Sequence, residues 1–221
     1  VLTPEVFANA ASFTLASRYS DYLRALEEQE QTTVVTPEPS PGVEVGGKHI
    51  YLCLEAGDET AAQLDALERY GAQAAFFCTV DFLEEQGDLL RRMVALGHSV
   101  AILVDGADSA GSVTEQLSAG NAALELATCG KTRLCYLQGG TEESRQAAQA
   151  AGYRCLEADL DRSGYDLQGS SSAASLLRRV SAWRGDVTVW LGGGVSAAGL
   201  RAFLAAAEEA DGRCVAWTET A

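Results

Sequence analysis

The sequence predicts an α/β fold: a parallel sheet of about seven strands with helices outside it, closed or nearly closed into a barrel or, in competition, opened into a doubly wound sheet. Three observations predict this. Six helix-type segments stop at a glycine (Gly71, Gly97, Gly130, Gly152, Gly185, Gly212), and each is followed at once by a short apolar strand. A glycine past the last turn accepts the left-handed backbone that ends a helix, so the rhythm marks repeated helix-to-strand crossings. Helix starts are marked at Thr60 with Gln63, Asp81 with Glu84 and Ser112 with Glu115, each spaced for a reciprocal cap. Strand and helix patterns alternate to the end of the chain, which requires crossover connections and hence parallel neighbours.

Residues 4–30 carry Leu15, Tyr19, Tyr22, Leu23 and Leu26 at helical spacing on an otherwise polar segment, one apolar stripe in search of a surface. We expect an amphipathic helix over 1–30, docked on the main domain, with a stalk end or self-association element as the competing use. Pro37, Pro39 and Pro41 keep residues 31–47 extended and out of any helix, so this stretch is a linker. The domain then runs over 48–221. Its expected strands are His49–Leu54, Ala74–Cys78, Val100–Val104, Arg133–Tyr136, Tyr153–Glu157, Val187–Leu191 and Cys214–Trp217. Its expected helices are Thr60–Tyr70, Asp81–Leu96, Ser112–Thr128, Glu142–Ala151, Ala173–Ala182 and Ser196–Ala210.

With 221 residues, 47% of them hydrophobic, the chain can bury a substantial core. A formal charge of -15 repels phosphate, which argues against nucleic acid or an anionic membrane as partner. No apolar run is long enough to span a bilayer. The chain starts at Val1, and we read it as a mature or trimmed piece whose leader or anchor has been removed. Six cysteines fall mostly inside the expected strands with no C-x-x-C pair, so buried free thiols are expected, and a Cys129–Cys135 disulfide is the alternative.

Lys48-His-Ile-Tyr-Leu-Cys-Leu-Glu-Ala-Gly57, then Leu67-Glu-Arg-Tyr-Gly-Ala-Gln-Ala-Ala-Phe-Phe77, then Leu89-Leu-Arg-Arg-Met-Val-Ala-Leu-Gly-His98 resemble the first half of a polysaccharide deacetylase domain of the NodB-homology type. The family pattern there is a strand ending Thr-Phe-Asp-Asp-Gly, then Tyr-Gly-x-x-Ala-Thr-Phe-Phe, then Leu-x-Arg-Arg-Met-x-x-x-Gly-His. The likeness is close from Lys48 to His98 and keeps its order to the C-terminus. It implies a distorted (β/α) barrel of about seven strands and a site in an extracellular or cell-envelope protein. It also implies a chemistry that strips acetyl groups from chitin, peptidoglycan or related glycans. In that family a divalent metal held by one Asp and two His polarises the amide carbonyl and activates water, while a carboxylate takes the proton.

Carried onto this chain, the base position falls on Glu55, the metal Asp on Ala56 and the two metal His on Leu103 and Ala107. The Arg-x-Pro motif is replaced around Cys135 and Leu137, and the catalytic His falls on Leu191. His49 and His98 are the only histidines, and both are read as structural. No cofactor is expected. Acidic residues near expected strand ends (Asp58, Glu59, Asp105, Asp108, Glu157, Asp159, Asp161) and the Gly192-Gly-Gly194 loop are weaker site candidates. Tyr165, in a loop at a position resembling the family's active-site Trp, is the candidate for stacking on a sugar, whereas Trp183 and Trp190 are expected to be buried.

The resemblance with emptied ligand positions implies a catalytically silent domain that binds a cell-wall glycan or serves as scaffold. An active deacetylase with a rearranged carboxylate site around Glu55, Asp105 and Asp161 is the alternative, and a rigid spacer is the third reading.

Overall fold

Alternating side chains that are apolar on both faces make β1 (His49–Glu55) a central strand, because a parallel strand must be covered from both sides. One edge of β1 pairs with β7 (Val187–Trp190) along Ile50–Cys53. The other edge is shared, with β8 (Arg213–Val215) beside His49–Tyr51 and β2 (Ala75–Cys78) beside Cys53–Glu55. The remaining strands are β3 (Ser99–Asp105), β4 (Leu134–Gln138), β5 (Arg154–Cys155) and β6 (Leu160–Asp161), and the main path reads β5-β4-β3-β2-β1-β7-β6 with all pairs parallel. These relations come from a computed structural model that describes residues 46–162 and 164–220. The expected helix over 1–30 and nearly all of the 31–47 linker lie outside the described residues.

The sheet curls into a half-barrel. Strands β4 and β7 lie four strand spacings apart along the path, about 19 Å if the sheet were flat, yet the rings of Tyr136 on β4 and Trp190 on β7 stand 4.4 Å apart. Only a curled sheet brings them together. Phe77 on β2 joins the same group, 5.2 Å from Trp190 and 6.3 Å from Trp217. With Cys53, Leu103 and Leu134 these rings fill the inside of the curl.

The outside is covered by α1 (Thr60–Arg69), α2 (Val80–Glu85), α3 (Gly87–Ala95), α4 (Ala110–Thr128), α5 (Glu142–Ala150), α6 (Ser170–Ala182) and α7 (Ala197–Glu209). Their inward residues, among them Leu64, Leu90, Leu117, Leu176 and Phe203, pack on Ile50, Leu52, Leu54, Phe76 and Ile102 of the sheet. The expected α/β barrel is therefore present, as a half-barrel with an open seam where β5 and β6 end the path.

Several local expectations are corrected. The expected helix 81–96 is two helices, because the backbone leaves helical geometry at Gln86. Its start is capped by Thr79, whose Oγ1 accepts from Phe82 N, and not by Asp81. Ser109, not Ser112, caps α4. Thr60 lies inside α1, where its Oγ1 accepts from Gly57 N, and Gln63 reaches across to donate to the Val195 carbonyl. At α2 and α4 the cap is the residue in extended conformation just before the first turn, and α1 starts without a side-chain cap. The expected strand 153–157 shortens to the two residues that pair with β4, and β6 appears in an expected loop, where it pairs with β7. At Gly130 and Gly212 the left-handed residue is the one before, Cys129 and Asp211.

Candidate functional site

Period-two alternation decides what reaches the barrel mouth. Tyr51 and Cys53 on β1, Ala101 and Leu103 on β3, and Leu134 and Tyr136 on β4 face inward, so the next inward positions at the strand ends are Glu55, Asp105 and Gln138. These three, with Thr79, Asp81 and Glu115 from the neighbouring loop and helices, line a cleft of about 550 Å³. Glu55 sits under the 192–194 loop: its amide donates to the Gly192 carbonyl at 3.3 Å, and a β-carbon at Gly193 would stand 3.3 Å from its Oε2. The carboxylate of Asp105 accepts from Ala107 N at 2.9 Å, which closes a tight turn.

Asp161 lines a second cleft of about 320 Å³ with Tyr136, Arg145, Cys155 and Glu157. Burial first, and then the Asp161 charge, push the Tyr136 hydroxyl above its usual range. Glu55 and Asp105 are therefore brought together, and Asp161 stands apart from them in the neighbouring cleft. Tyr165 is half-buried against the outer core; its hydroxyl donates to the Ser172 carbonyl at 2.6 Å and the Arg162 guanidinium covers its ring at 4.5 Å. Trp190 is 2% exposed, whereas Trp183, expected to be buried, is exposed because it lies just past the C-terminal end of α6.

Three of the other acidic candidates accept hydrogen bonds from backbone or neighbouring side chains. Glu59 accepts from Ala197 N, Asp108 from Ser112 Oγ and Gln116 Nε2, and Asp159 from Thr188 N. The 192–194 loop turns carbonyls inward, with Gly194 O accepting from Leu167 N at 2.9 Å, so it is a packing loop. Both histidines have structural partners. His98 Nδ1 accepts from Ala74 N at 3.2 Å, and His49 faces Asp186 at 3.4 Å.

The family's metal does not fit the residues found at its positions. Leu103 is 5% exposed and belongs to the inner apolar group, Ala56 packs with the outer core, and Ala107 stands exposed on the loop. None of the three side chains carries a lone pair. Among the described residues no group of three His, Cys, Asp or Glu side chains is arranged to hold an ion. At the end of β7, Leu191 faces the outer core, and the inward residue is Trp190. The Tyr136–Trp190 contact and the place of Asp81, Glu115 and Gln138 in the cleft escaped the sequence reading. Alternation along β4 was the one sign that could have put Tyr136 and Gln138 on the inner face.

The sequence model of the polysaccharide deacetylase family matches residues 42–156, just over half of the chain. No curated protein matches. Among solved structures, the polysaccharide deacetylase Bc1974 from Bacillus cereus is similar at 19% identity over 79% of this chain and 94% of its own, with a TM-score of 0.66. The peptidoglycan deacetylase PdaC from Bacillus subtilis is similar at 17% identity over 78% of this chain and 89% of its own, with a TM-score of 0.63. A CE4 family pseudoenzyme from Bacillus anthracis is similar at 15% identity over 78% of this chain and 64% of its own, with a TM-score of 0.64. At these identities the structures speak for the fold, and the family match speaks for descent: this chain belongs to the polysaccharide deacetylase family.

Proposed function

We propose that this domain is a catalytically silent deacetylase-like module that binds glycan, or serves as scaffold, in a cell-envelope protein. The observation that carries the reading is chemical: the positions at which the family holds its metal are occupied here by Ala56, Leu103 and Ala107, which offer no donor atom. Water activation by a bound cation has no seat among them. The aromatic filling by Tyr136, Trp190 and Phe77 makes the same region apolar.

Binding in turn is supported by the cleft beside Glu55 and Asp105, whose carboxylates and the Gln138 amide suit sugar hydroxyls. Its acidity favours neutral or amine-bearing sugars over anionic ones. The pseudoenzyme among the similar structures, and a mutant of it described as having restored enzymatic activity, are a precedent for silent members of this fold.

Acetate release from acetylated chitooligosaccharide with added zinc or cobalt should stay at background, while calorimetry detects the oligosaccharide. Glu55→Gln with Asp105→Asn should weaken that binding by about 10- to 100-fold, the worth of one or two lost charged hydrogen bonds. Acetate release abolished by Glu55→Gln would instead establish the rearranged carboxylate enzyme. Absence of both binding and turnover would leave the scaffold reading.

A further inference from the structure

Cys135 and Cys155 lie directly opposite one another on the parallel neighbours β4 and β5. The register is held by Leu156 N donating to Cys135 O at 2.8 Å and Arg154 N donating to Arg133 O at 2.6 Å. Opposed residues of one register point to the same face, and here both thiols point outward under α5, with their Sγ atoms 3.5 Å apart. Strand neighbours about 4.8 Å apart fall inside the Cα separation that a disulfide accepts, roughly 4.4–6.8 Å. Side-chain rotation alone therefore brings the sulfurs within bonding distance. No other pair among the six cysteines is held in such register: Cys129, the alternative partner the sequence offered for Cys135, stands exposed at the end of α4.

We propose that Cys135 and Cys155 form an oxidisable pair whose disulfide staples the edge strand β5 to the sheet. The two sulfurs have different roles. Cys155 is half-buried and opens into the cleft with Arg145 and Glu157. The thiol hydrogen bond from Cys135 and then the Arg145 charge hold Cys155 below the usual thiol range. Cys135 is fully buried, and its hydrogen bond to Cys155, together with burial, keeps it protonated. Cys155 is thus the entering nucleophile and Cys135 the resolving thiol.

The oxidant is a small-molecule disulfide. The Cys155 thiolate attacks one of its sulfurs, that S–S bond breaks, and one small thiolate leaves. Cys135 then attacks Cys155 Sγ, the mixed disulfide breaks, and its proton goes with the second leaving thiolate. Two protein thiols are oxidised by two electrons, and the small disulfide is reduced to two thiols. The stapled strand is short, carries the seam of the half-barrel, and leads into the 156–161 segment that lines the second cleft. Oxidation therefore stiffens the side of the mouth that bears Asp161.

The test uses the full chain carrying Cys129→Ser, to remove the exposed thiol, incubated with oxidised glutathione and digested with trypsin under non-reducing conditions. The expected product is a cross-link between peptides 134–145 and 155–162, with two hydrogens lost from the intact mass. The oxidised protein should melt about 6–12 °C higher than the reduced one, from closure of a roughly 20-residue loop. A reductant should reverse this, and Cys155→Ser should show neither cross-link nor shift. A stable glutathione adduct on Cys155 without the cross-link, a cross-link to another cysteine, or a cross-link with unchanged melting would each overturn the proposal.

Discussion

Gly199→Ala should destabilise the domain although it puts alanine into a helix. Gly199 is the third residue of α7, where replacing glycine ordinarily stabilises by up to about 1 kcal/mol. A β-carbon there would stand 2.1 Å from the Leu167 carbonyl oxygen, 2.4 Å from its carbon and 2.9 Å from Gln168 N. That backbone cannot give way easily. Leu167 O accepts from Ser196 N at 3.0 Å and Ser196 Oγ at 3.2 Å, and Leu167 N donates to Gly194 O at 2.9 Å. Relief requires a shift of roughly 1 Å in a closely packed contact, at the upper end of overpacking costs, about 3 kcal/mol. The net loss is about 2 kcal/mol, or about 4–8 °C in Tm for a domain of this size. Gly111→Ala is the internal control: it is the second residue of α4, nothing lies within 4 Å of its would-be β-carbon, and it should gain a few tenths to about 1 kcal/mol. Urea melts of both variants by far-UV circular dichroism decide the matter. A Gly199→Ala protein at least as stable as the parent would refute the close approach of α7 to the 165–168 loop, and with it the placement of Tyr165.

Two further outcomes follow from the same packing. His98 is buried, and desolvation, then the Arg92 charge, lower it to about 4; its Nδ1 can accept from Ala74 N only while neutral. The unfolded chain takes up the proton near 6.5, so stability is complete above that pH and falls as pH drops towards 4, by up to about 3 kcal/mol. Denaturant midpoints at a series of pH values should show this slope, and His98→Gln should flatten it. Trp190→Ala removes a ring in contact with both Tyr136 and Phe77 and should cost about 3–5 kcal/mol, read as a lowered urea midpoint. A loss below about 1 kcal/mol would mean that the inner aromatic group does not hold the curl together.

Spacing along the chain was enough for the alternating fold, for the kinship carried by residues 48–98, and for the identity of the side chains at the family's ligand positions, because each of these is written in neighbouring residues. Glu55 comes from the family pattern and Asp105 from its place near the end of an expected strand, and the fold sets both beside one cleft. Other features depend on which strands become neighbours and how far the sheet bends, and short-range pattern carries no record of that. The curl sets Tyr136 on Trp190, 54 positions away in the chain, and the register of β4 with β5 pairs Cys135 with Cys155 instead of Cys129. Extended backbone just before the first turn, and not the presence of an oxygen alone, marks Thr79 and Ser109 as helix caps. Local sequence limits each segment to a few conformations, and burial of two opposed sheet faces selects among them.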